Sequence, residues 1–155
     1  MMTTILDTAT TTSSATTTRA PYGRLLKVSL AATVVAGVAA EAWVALVRAI
    51  GVELRVGDPF GDASSVMALP TGACATSIVM CMVLGTALAV GLNWKARRPA
   101  HTYVVVASVL TFVSLGGPLV AAGTSAGTKF TLIVAHLIAA AVIVPLVARC
   151  LARRS

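Results

Sequence analysis

Four apolar runs, each long enough to cross a bilayer, occupy most of this 155-residue chain and leave little else from which to build a fold. They read Val28 to Val47, Val66 to Leu92, Thr102 to Ala122 and Phe130 to Ala148, against a need for about 20 apolar residues to traverse a hydrocarbon layer ~30 Å thick. In lipid only helices and closed barrels satisfy every backbone N–H and C=O, and a barrel is written in alternating segments of ~10 residues rather than in continuous runs. The expected architecture is all-α, a bundle of four transmembrane helices. Composition agrees: 11% of residues are charged, where a soluble domain carries roughly 25%.

The net charge of +7 would suggest nucleic acid in a soluble protein, but its placement gives a different reading. Arg19, Arg24 and Lys27 precede the first run, Lys95, Arg97 and Arg98 separate the second from the third, and Arg149, Arg153 and Arg154 follow the fourth. Only Arg48, Arg55 and Lys129 remain for the opposite side, with Glu53, Asp58 and Asp62. Because cytoplasmic loops hold the excess of Lys and Arg, both termini are expected in the cytoplasm, with the basic groups lying beside anionic headgroups. A nucleic-acid site would need a folded basic surface with aromatics or a reading element, and the chain offers neither.

Residues 1–24 form a Thr/Ser/Ala-rich stretch with few sizeable apolar side chains. It buries too little to offset chain entropy and is expected to be a flexible cytoplasmic tail, followed by a membrane domain over residues 25–154. The first run has a basic flank and Val38-Ala39-Ala40, as a cleaved signal would, yet it continues through Val47, beyond the 7 to 15 residues of a signal core. Between the first two runs, Gly57-Asp58-Pro59 and Gly61-Asp62 are turn chemistry, and Pro70 suits the first turn of the second helix. Asp58 and Asp62 lack the ligand spacing of a calcium loop. The connection Gly123 to Thr128 is short, so the last two spans form an antiparallel hairpin.

Cofactor and metal chemistry find no motif. Cys74 and Cys81 are about 10.5 Å apart along one helix, too far for a disulfide. No CxxC or zinc spacing occurs, and His101 and His136 differ too much in depth to pair as haem ligands. No nucleophile and base pair points to an enzyme.

The informative residues are polar ones within the spans. Glu41 lies near the middle of the first, where an ionisable group is costly and marks a functional site by default. Ser29, Thr33, Gly37 and Glu41 recur every four residues as one small, polar face, and Ala32, Ala36 and Ala40 form a ladder beside it suited to close helix packing, within the bundle or against another copy. Arg48 lies on nearly the same face as Glu41 and can snorkel outward. Pro118 removes a donor from Ser114 and predicts a kink in the third span. Counted from the span ends, Glu41, Ser114 and His136 reach similar depth and are expected to meet as a polar cluster. Such a cluster acts as interhelical glue, or exchanges protons while coupling a cation or amphiphile.

The run Ser114-Leu115-Gly116-Gly117-Pro118, a short Ala/Gly/Thr connection, then His136, Ala139-Ala140-Ala141, Val142, Pro145 and Arg149 resembles an uncharacterised family of four-span actinobacterial membrane proteins. The likeness runs from about Leu25 to Arg154 and implies a plasma-membrane location without implying an activity. Four short helices with a glutamate in the first are also similar to the small multidrug-resistance exporters, in which Glu41 would match the residue that binds proton and cationic drug alternately. The strong charge bias and an aromatic content of 5% depart from that pattern, since Tyr103 and Phe112 are the only sizeable rings in the third span. The expected role is that of an accessory or interaction subunit, with another copy or a membrane protein as partner, and proton-coupled export of cationic or amphiphilic compounds is the alternative.

Overall fold

A computed structural model describes residues 20–57 and 66–153. The expected tail lies largely outside these residues, as do Arg19, Asp58, Asp62 and Arg154. In chain order the elements are α1 (Tyr22–Ala49), β1 (Arg55–Val56), β2 (Met67–Ala68), α2 (Ala73–Lys95), α3 (Pro99–Ser114), α4 (Gly116–Val120) and α5 (Ala126–Ala152). Four helices are long and apolar enough to cross a membrane, with α3 and α4 together making the third.

Large apolar side chains point outward from every span, among them Val38 at 67%, Leu84 at 73% and Phe112 at 73% exposure. Exposed apolar surface on this scale is untenable in water and ordinary against lipid tails. The protein is a multi-pass membrane protein. Its helices close on one another through small residues instead: Ala32, Ala36, Ala40 and Ala89 are completely buried.

The first span is the axis of the bundle and the third its periphery, with 39% of the apolar window buried in α1 against 6% in α3–α4. Two cores stack along α1. One gathers Ala36, Ala40, Val44 and Val47 with Leu54, Cys74, Ile78 and Ala135. The other joins Leu25 to Ala89, Tyr103, Val147, Cys150 and Leu151. The Ala32, Ala36, Ala40 ladder therefore packs inside a single chain.

The bundle has two unlike ends. At the basic end, Asn93 at the close of α2 clamps the segment before α1, accepting from the Ala20 N–H at 3.2 Å and donating to the Ala20 carbonyl at 3.0 Å. At the other end β1 and β2 pair antiparallel, Arg55 opposite Ala68 and Val56 opposite Met67. This hairpin is tied to the loop after α4 and to α5, because Gly57 N–H donates to Thr124 Oγ1 (3.0 Å) and Arg55 N–H to Thr128 Oγ1 (3.3 Å). Gly57 is required there, since a Cβ would overlap the Ala122 carbonyl oxygen.

Two boundaries differ from the sequence reading. The second helix begins at Ala73 rather than Val66, because 67–68 pair with β1 and Leu69 N–H bonds the Leu54 carbonyl at 2.9 Å. Pro70 thus precedes the helix instead of opening its first turn, and Gly72, at φ +87°, makes the left-handed bend into it. The third helix is interrupted at Leu115, three residues before Pro118. That is one residue past Ser114, whose carbonyl the missing proline N–H would have bonded; the interruption is a single residue, with Leu115 itself in helical dihedrals.

Candidate functional site

Helix α2 starts without a cap of its own, since Gly72 has no side chain to receive the first N–H groups. Glu41 supplies the acceptors from α1: Oε1 accepts from Ala75 N–H at 3.0 Å and Oε2 from Gly72 N–H at 3.3 Å. These are the two donors that a capping box satisfies from within one helix, and a carboxylate there also meets the positive end of the helix dipole. Two turns further along α1, Arg48 donates to the Leu69 carbonyl (2.6 Å) and to Thr71 Oγ1 (3.3 Å). The pair braces the turn that carries the chain from the hairpin into α2.

His136 is engaged elsewhere. Its Nδ1 lies 2.8 Å from the Leu132 carbonyl one turn back. A carbonyl only accepts, so Nδ1 bears the proton and, in the neutral ring, Nε2 holds a free lone pair. The sequence reading puts Glu41 and His136 within hydrogen-bonding reach, directly or through one water; no direct bond joins them, since both carboxylate oxygens take backbone N–H groups at the start of α2 and the imidazole bonds its own helix. The reason is competition, because unpaired helix-terminal N–H groups in an apolar surrounding bind a carboxylate as well as a histidine does. Sequence reading missed this partner because Gly72 and Ala75 contribute only backbone. The signal available was a helix start preceded by Gly72 with no Ser, Thr, Asp or Asn at the cap.

Ser114 and His136 nevertheless share one cavity lining. Both line a cavity of about 400 Å³ between α2, α3 and α5, with Ala40 of α1 at its floor, and Glu41 does not line it. The cavity exists because small residues face one another across it: Ala73 and Gly85 from α2, Ala107 from α3, Ala139 and Ala140 from α5. Its α2 wall runs from Ala73 to Leu88, about 22 Å of helix. Its polar atoms come from Ser77, Thr111, Ser114 and His136, with Tyr103 near Gly85 further along. Thr111 Oγ1 donates to the Ala107 carbonyl (2.8 Å) and Ser114 Oγ to the Thr111 carbonyl (2.7 Å). Their protons are spent inside α3 and only lone pairs remain for the cavity.

The cysteines are all free thiols, Cys74 and Cys150 buried and Cys81 exposed at the cavity wall. Among the described residues no three His, Cys, Asp or Glu side chains converge as a metal site.

Comparison with curated proteins and with solved structures returns no match. The model of a family of unknown function, DUF6069, matches residues 20–153, which takes in every helix from α1 to α5. A four-span membrane chain matched over that length belongs to the DUF6069 family.

Proposed function

We propose that this protein is a plasma-membrane subunit with both termini in the cytoplasm, acting by binding rather than by catalysis, and that the groove between α2, α3 and α5 is where it binds. The observation that carries this reading is the groove itself. Packing within lipid favours close helix contact, yet small side chains here face one another between three helices over about 22 Å and leave some 400 Å³ unfilled. Ligand sites in bundles are built this way, between helices, mainly apolar with a few placed polar groups. The basic residues at the end formed by Arg24, Lys27, Lys95, Arg97, Arg98, Arg149 and Arg153 support the orientation.

Export through Glu41 has less support, because both carboxylate oxygens already hold N–H groups and Glu41 does not line the groove. A photo-activatable amino acid at Leu110, on the groove wall, tests the binding reading in native membranes. A reproducible adduct of one mass is expected. A spread of bulk-lipid adducts identical to that from an outward position such as Phe112 would defeat it.

A further inference from the structure

We infer that the groove binds a single-chain amphiphile whose head is a hydrogen-bond donor, a hydroxyl, held at His136 Nε2. The inference rests on the groove being the binding site and adds the chemistry of its occupant. Its first support is the sign of the polar atoms. His136 Nδ1–H is committed to the Leu132 carbonyl, and the Thr111 and Ser114 protons are committed to carbonyls of α3. These three side chains thus offer the groove acceptors without donors. His136 Nε2 has no partner among the described residues, and an acceptor left without a donor in an apolar site is costly. At Nε2 a ketone, ether or ester head would set acceptor against acceptor; the hydroxyls of Ser77 and Tyr103, which also line the groove, are the donors left for such a head. A hydroxyl has one proton and supplies it to Nε2.

The second support is where these atoms stand. Glu41 bonds Ala75, and its neighbour Trp43 donates to the Thr131 carbonyl at 3.1 Å, so Ala75 of α2 and Thr131 of α5 lie at similar depth. His136 therefore falls about one and a half turns deeper than that level and Ser77 about half a turn deeper. A Cβ built on Gly85 would lie 4.0 Å from the Tyr103 hydroxyl, and Ser114, three turns on from Tyr103, then falls toward the start of α2. The acceptors gather toward the hairpin end, and Leu84, Leu88, Ala107, Ile143 and Val144 line the groove toward the basic end. That is the layout of a head and a tail.

The third support is size. The groove's walls run along about 22 Å of α2 and leave about 400 Å³ between them. A partner helix arrives with its backbone donors already spent. The groove fits one extended chain. Its length of about 22 Å exceeds the ~15 Å of one hydrocarbon leaflet, so the tail passes the bilayer midplane.

The test uses the purified full-length protein in nanodiscs, with octadecanol and its methyl ether as probes, competing against a photo-reactive long-chain alcohol. The alcohol is expected to bind roughly three- to tenfold more tightly than the ether, the range of one net hydrogen bond. His136→Phe should erase that preference while leaving chain binding, and His136→Gln, which keeps an acceptor, should restore part of it. Equal binding of alcohol and ether overturns the hydroxyl assignment and leaves the groove reading standing. No saturable binding of either probe overturns both. A preference that survives His136→Phe in folded protein removes His136 from the site.

Discussion

The Glu41 carboxylate and the backbone N–H of Ala75, 34 positions apart in the chain, meet at 3.0 Å and join the middle of the first helix to the start of the second. With the Gly72 N–H on the other oxygen, one acidic side chain caps a neighbouring helix from outside. Truncating it leaves two donors without partners. Glu41→Ala is expected to cost about 1–3 kcal/mol, a cap together with its charge–dipole contribution, and Glu41→Gln less, since the amide oxygen still satisfies one N–H. Thermal unfolding in detergent should rank the variants wild type, Gln, Ala. Equal stability of all three would show that the cap contributes nothing.

Helix packing gives a prediction opposite to the one suggested by the small-residue ladder alone. Ala36 is fully buried in the hairpin-end core with Val44, Cys74 and Ala135. Ala36→Leu should therefore overpack that core, at about 1–3 kcal/mol. Cross-linking between copies should be unaffected where the variant remains folded. Lost cross-linking at unchanged stability would return the ladder to an intermolecular role.

At the hairpin end, Gly57 approaches the Ala122 carbonyl so closely that any side chain collides with backbone. Gly57→Ala should lift the hairpin from the loop after α4 and expose residues 52–69 to protease, with the spans intact. Thr124→Val, which removes only the acceptor for Gly57 N–H, should do so more mildly, at about 1 kcal/mol. Limited proteolysis with mass mapping reads both. Wild-type digestion of Gly57→Ala would disprove the contact.

Orientation is tested independently. A reporter active only in the cytoplasm should work when fused after Ser155 or near Arg97 and fail near Asp58, because the basic residues cluster at the first two places. Activity near Asp58 would reverse the assignment.

The sequence by itself determined that four helices cross a membrane and roughly where, because length and hydropathy answer to bilayer thickness and not to partners. It also singled out Glu41, Ser114 and His136 as polar groups within the spans. The interruption in the third span follows from Pro118, a local backbone constraint, and the burial of Ala32, Ala36 and Ala40 from small-residue spacing. What it left open was who meets whom. Glu41 and His136 have matching depth along their helices, but depth is one coordinate, and rotation about each axis and the spacing between helices are set by packing. Tertiary structure turned Glu41 to the bare N–H groups of α2, which no side-chain pattern announces because the partners are backbone. It set His136 and Ser114 in the lining of a groove between α2, α3 and α5. The hairpin of β1 and β2 was hidden for the same reason: two-residue strands carry no period to read, and only the long-range bonds of Gly57 to Thr124 and of Arg55 to Thr128 hold them in place.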